Sequence, residues 1–216
     1  MAMRNKFGFF YMITGAALVI AALSLFVHNQ IEANRAGKIS AELLQQLMGE
    51  IESGDQQDVL SGDTEETVSV LPGMPVEFID PSALEMTEVE INGFGYIGYL
   101  SFPSLGLELP VMGDWDYTRL RIAPCRYSGS VLGEDLVIMA HNYSRHFGLL
   151  TELNEGDRVL FTDMDGKVTR YAVAAQDVLL PTAVEEMTSG DYDLTLFTCT
   201  YGGQSRITVY CNRETS

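Results

Sequence analysis

A chain of 216 residues, 46 % of them hydrophobic, has room for one ordinary domain and modest extensions. Thirteen Lys and Arg against thirty Asp and Glu leave a net charge of −17. That excess repels nucleic-acid phosphates and excludes a nucleic-acid partner.

The first element is an uncharged run from Phe7 to Val27, 21 residues rich in Phe, Ala, Leu, Ile and Val. At about 1.5 Å per residue it matches a hydrocarbon core of about 30 Å. No small-x-small cleavage site directly follows Val27, so the run reads as an uncleaved anchor. Arg4 and Lys6 precede it, while Glu32, Arg35, Lys38 and Glu42 behind it nearly cancel. The positive-inside rule leaves residues 1–6 as a cytoplasmic tail and everything after Val27 outside. The expectation is a single-pass cell-membrane protein with its folded domain extracytoplasmic.

Residues 28–51 read as a helix continuing outward, with Ile39, Leu43, Leu44, Leu47 and Ile51 near helical spacing. Residues 52–88 read as an acidic linker. Between Lys38 and Arg119 there is no Lys or Arg, while sixteen Asp and Glu fall there. From residue 89 to 216 the texture changes to short β-branched and aromatic runs broken by Gly, Asn and Asp. Candidate strands are Tyr96–Phe102, Glu108–Val111, Leu136–His141, Arg158–Asp163, Thr169–Leu179, Leu194–Cys199 and Arg206–Cys211. Helical turns are expected at Thr118–Ala123 and Phe147–Leu153. Seven or eight strands at this spacing suggest a small closed β-barrel.

Three cysteines leave at least one thiol outside any bridge. Gly202-Gly203 as the centre of a hairpin sets Cys199 opposite Arg206, with Cβ atoms about 5 Å apart. The guanidinium supplies positive charge beside a sulfur whose reactive form is the anion. A slip of one residue would send the two to opposite faces. In this register Leu194, Leu196, Thr198, Ile207, Val209 and Cys211 share the more apolar face, predicted to be the core. Thr195, Phe197, Cys199, Arg206, Thr208 and Tyr210 share the other, predicted to be accessible. Cys211 and Cys125 are expected to be free thiols.

A cysteine nucleophile needs an imidazole to carry the proton. His28 stands at the membrane exit, His146 in a loop, and His141 at the end of a strand, the best place to deliver a side chain to a barrel rim. Asn142 either orients that imidazole or turns the chain. The five-residue spacing of His141 and His146, with no Cys-x-x-Cys, does not make a zinc pattern. No metal and no cofactor is expected.

Thr195-Leu196-Phe197-Thr198-Cys199, followed by Arg206 at the next strand, resembles the Thr-Leu-x-Thr-Cys signature of sortases. Ala140-His141-Asn142, with Phe147-Gly148 beyond, resembles that family's histidine region, and the likeness covers about Val89 to Arg213. The resemblance implies an eight-stranded barrel and a membrane-bound thiol transpeptidase that anchors surface proteins to the Gram-positive cell wall. It implies that Cys199 attacks the threonine carbonyl of a Leu-Pro-x-Thr-Gly-like sorting signal on a secreted protein, forming a thioacyl enzyme. His141 then serves the leaving and incoming amines, the latter from a peptidoglycan precursor or a pilin. Arg206 holds the substrate or the oxyanion. Thr198 and the segment Leu179–Met187, with Leu180 and Val184, line the groove for Leu-Pro.

The short connection before Leu194 speaks against class B. Ile79-Asp80-Pro81-Ser82 has the dipeptide of a class C lid without its aromatic, which leaves a class D-like or unclassified enzyme. Leu71-Pro72-Gly73-Met74-Pro75 and Leu109-Pro110-Val111-Met112-Gly113 lack Thr before Gly and read as linker and strand. Two other readings stay open at this point. One is a cysteine peptidase sharing the acyl intermediate, the other a catalytically silent barrel that binds peptides or glycans.

Overall fold

Strand pairing and one long helix account for most of the chain. The computed structural model describes residues 4–58 and 86–214. Most of the acidic linker, including the Leu71-Pro72 and Asp80-Pro81 strings, lies outside the described residues. The chain divides into two units, Met1–Arg35 and Ala36–Ser216, and helix α1 (Arg4–Asp58) contributes to both.

In the first unit Phe9, Phe10, Leu18, Ile20, Leu23 and Leu25 all lie open on the helix surface. An α-helix apolar on every side is unstable in water and suited to lipid. This one is long and apolar enough to cross a membrane. In the second unit α1 becomes one-sided. Ala36, Ser40, Leu43 and Leu47 are buried, at steps of three and four, and their neighbours are not. The helix runs on to Asp58, past Ile51.

Nine strands follow: β1 (Val89–Ile91), β2 (Phe94–Phe102), β3 (Leu107–Met112), β4 (Cys125–Ser128), β5 (Leu136–Ala140), β6 (Arg158–Asp163), β7 (Val168–Leu179), β8 (Leu194–Cys199) and β9 (Arg206–Arg213). Eight close in the order β2-β3-β4-β5-β8-β9-β7-β6, with β6 returning to β2. β1 only extends the start of β2 as a hairpin. A register shift between Tyr96 and Gly98 bends β2 where it passes from β1 to β6. Two joints are parallel, β3 with β4 and β5 with β8; the rest are antiparallel.

Alternate residues fill the barrel, among them Leu136, Ile138, Leu196, Val209, Tyr171 and Phe161. A second cluster sits between the barrel wall and α1, where Leu43 and Leu47 meet Tyr96, Met112, Cys125 and Met164. Full burial of a leucine such as Leu47 contributes about 1.5–3 kcal/mol.

Of the expected strands, Arg158–Asp163 and Leu194–Cys199 match at both ends, and the other five differ by one or two residues. β1, β4 and the short helix α2 (Val184–Thr188) are additions. Cys125, two residues beyond the expected helical turn, opens β4. The expected helical turns are present as 3-10 turns at Arg119–Arg121 and Phe147–Glu152.

Candidate active site

The hairpin joining β8 to β9 holds its register through its turn. Thr200 N–H donates to Ser205 O at 2.9 Å and Gly203 N–H to Thr200 O at 2.8 Å. Gly202 and Gly203 have φ of 83° and 72°, left-handed values that side-chain-bearing residues rarely adopt. Cys199 consequently stands opposite Arg206, and Thr195 opposite Tyr210.

His141 arrives by a different route. β5 runs parallel to β8 with Met139 level with Phe197 and Ala140 level with Thr198. The next residue along each strand is His141 on one and Cys199 on the other. Ala140 belongs to the barrel interior, so alternation turns His141 to the outer face, with Met139. Thiol, imidazole and guanidinium thus meet on the outside of the barrel wall, at the ends of three adjacent strands. All three line one cleft of about 220 Å³, floored by Met139, Phe197 and Met187.

The outer face of β8 and β9 was expected to be open, and it is not. Thr195, Phe197, Thr208 and Tyr210 are all buried. Met187 of α2 and Tyr127 of β4 pack with Phe197, and Tyr192 stacks on Tyr210 at 4.6 Å. Only Cys199 and Arg206 emerge, each half-buried. The segment between β7 and β8 folds over the sheet, and no alternation pattern within the strands reveals that cover.

Thr198 does not reach the cleft. It is 1 % exposed, and its hydroxyl donates to Ala140 O at 2.8 Å, tying the ends of β8 and β5 together. Its place on the core face follows from the same register that exposes Cys199, which removes it from direct substrate contact. Val184 does line the cleft, beside Pro181. Leu180 is exposed one residue before that wall.

Aromatic residues that the sequence did not single out form the opposite wall. Trp115 stacks on Tyr127 at 5.7 Å, Tyr127 meets Phe197 edge-on at 5.4 Å, and Tyr117 stands 76 % exposed beside them. The sole Trp of the chain, flanked by Asp114, Asp116 and Tyr117 outside any strand pattern, was the available signal.

Burial lowers the pKa of His141, and the positive charge of Arg121 lowers it further, so its ring is neutral at neutral pH. Arg206 folds back on the turn, donating from Nη1 to Gly203 O and Ser205 O, both at 3.2 Å. Those bonds orient the fork and leave its remaining N–H groups for a ligand. All three cysteines are free. Burial pushes Cys125 and Cys211 up to about 12, which makes both inert. A half-buried thiol, a neutral imidazole and a tethered guanidinium in one cleft suit nucleophilic acyl transfer.

Residues 100–214, more than half of the chain, match the family model described as "Sortase domain". No curated protein matches the sequence. Among solved structures, sortase C1 from Streptococcus suis is 28 % identical over 56 % of this chain and 74 % of its own, with a TM-score of 0.50. Sortase C from Clostridium perfringens SM101 is 23 % identical over 85 % of this chain and 96 % of its own, with a TM-score of 0.50. The sortase D5 transpeptidase of Clostridium perfringens covers 82 % of this chain and 99 % of its own at 14 % identity, with a TM-score of 0.57. The latter two are likenesses of fold. By its domain match and its barrel, this chain belongs to the sortase family of cysteine transpeptidases.

Proposed function

We propose that Cys199 is the nucleophile, His141 the proton carrier and Arg206 the oxyanion or substrate clamp of a membrane-anchored enzyme acting on sorting signals. The observation that carries this is the convergence of the three side chains on one cleft from three neighbouring strand ends. A neutral His141 takes the thiol proton as sulfur attacks the threonine carbonyl of a Leu-Pro-x-Thr-Gly-like signal. The tetrahedral oxyanion forms within reach of Arg206. Collapse breaks the Thr–Gly bond, and His141 returns its proton to the departing glycine amine. The thioacyl enzyme is then attacked by an amine from a peptidoglycan precursor or a pilin lysine; His141 accepts the amine's proton and restores it to the thiolate.

Val184 and Pro181 form the apolar wall suited to Leu-Pro of the signal, with Leu180 exposed at its edge. The segment between β7 and β8 holds only the five-residue α2, which supports a class D-like reading over class B. Residues 7–27 serve as the anchor, with the barrel outside the cell.

Mass spectrometry of the protein incubated with sorting-signal peptides tests the assignment. A thioacyl adduct on Cys199 is expected, absent in Cys199→Ala. Adding an amine should convert product from acid to amide; hydrolysis alone in the presence of amine would favour a peptidase.

A further inference from the structure

The loop after β5 is fastened at two points. Phe147 enters the barrel core and meets Phe102 edge-on at 6.1 Å. His146, the preceding residue, is 0 % exposed and points the other way, onto α1. Ser40 Oγ carries one hydrogen, which it donates to Ile122 O at 2.9 Å. At 3.1 Å from His146 Nε2 it therefore accepts, and the imidazole is the neutral Nε2–H tautomer. One hydroxyl joins the helix, the turn before β4 and the loop behind His141.

The path from His146 back to His141 is short and tied. Phe147 N–H donates to His141 O at 3.3 Å, while His146 and Gly148 both donate to Tyr143 O at 2.9 Å. The Tyr143 ring lies between the two imidazoles, 5.1 Å from His141 and 5.6 Å from His146. These contacts link the position of His146 to those of Tyr143 and His141. An apolar side chain would fill the same space without burying an unpaired Nδ1. What the imidazole adds is direction, because its hydrogen bond fixes one geometry where packing tolerates several.

We propose that His146, latched to α1 through Ser40, is a positioning residue that sets where His141 stands in the cleft, so that docking of the Ala36–Ile51 segment conditions the rate of acyl transfer. This rests on His141 being the proton carrier, as argued above.

The test uses the full chain in detergent micelles, as wild type, Ser40→Ala, His146→Ala and His146→Gln, whose side-chain N–H reaches the place of Nε2. The readings are kcat and KM for thioacyl formation with a Leu-Pro-x-Thr-Gly peptide, and the Cε1–H resonance of His141. Ser40→Ala and His146→Ala should lower kcat about tenfold to a hundredfold while KM stays within about twofold. Both should displace the His141 resonance, and His146→Gln should restore rate and resonance together. An unchanged kcat in folded Ser40→Ala overturns the proposal, as does a His146→Gln variant no better than His146→Ala. Should His146→Ala not fold, Ser40→Ala carries the test alone. If the wild type forms no adduct, the functional assignment fails while the resonance still decides this one: displaced in Ser40→Ala it stands, unmoved it falls.

Discussion

The roles proposed for Arg206 and His141 make different demands on the chemistry, and single substitutions separate them. If Arg206 donates a fixed fork of hydrogen bonds to the oxyanion, lysine retains the charge but not the geometry. Acylation in Arg206→Lys should then fall about a hundredfold to a thousandfold, close to the loss in Arg206→Ala. His141→Ala should be slower still, since both half-reactions lose their proton carrier. Acylation rates of the folded variants check this, and near-wild-type Arg206→Lys would leave only a role for charge. His146 makes a prediction about stability instead. Burial, and then the positive charge of a protonated His141, lower its pKa to about 4 from 6.5, against the pull of the Ala36 carbonyl. Between those values the unfolded chain holds the proton and the folded chain does not. Stability is therefore intact above the unfolded value and is lost as pH falls toward 4, by up to about 3 kcal/mol. Melting of wild type and His146→Gln at pH 7 and pH 4.5 should show the steeper loss in wild type. Equal losses would assign the acid sensitivity to other groups.

At the scale of elements, close approach outweighs helix propensity where α1 docks. A Cβ at Gly37 would lie 2.8 Å from Cβ and Cγ of Arg145, atoms too near the backbone to swing away. Alanine in a helix normally gains about 1 kcal/mol over glycine, whereas overpacking costs about 1–3 kcal/mol. Gly37→Ala should therefore lower the melting temperature of the chain, and a rise would show that the helix is free to move. The same docking marks the limit of what the sequence disclosed. Ile39, Leu43, Leu47 and Ile51 announced an apolar stripe, and Leu194 to Cys199 announced both a strand and its inward face. β8 and β9 were legible because their pairing is local and their turn has a signature in Gly202-Gly203. β4 was not, because Cys125 to Ser128 is four residues without alternation, too short to carry a strand period. α2 was missed because five residues carry no helical period. His146 reads as an ordinary loop residue until Ser40 is seen to interrupt the apolar stripe of α1 opposite it. Cys199, His141 and Arg206, the proposed site residues, stand out by motif, but the closeness of His141 to Cys199 depends on a parallel register that no local pattern encodes.

For the whole molecule, topology is the first thing to measure. Protease added to intact cells should digest the chain beyond His28 and spare only the span with its short tail. A protected barrel domain would reverse the proposed orientation and remove the proposed cell-wall role. The two routes by which the site is assembled also set an order in time. Cys199 and Arg206 face each other across a tight hairpin, a structure that closes in about 1–10 μs. Ala140 and Thr198 are 58 positions apart, and parallel pairing at that distance waits until loop closure is compensated by the rest of the barrel. Cys199 and Arg206 are therefore neighbours early, while His141, the proposed proton carrier, joins them only when β5 pairs with β8. On that proposal a half-made chain carries a thiol with no imidazole beside it, and should stay silent toward passing polypeptides until β5 and β8 have paired.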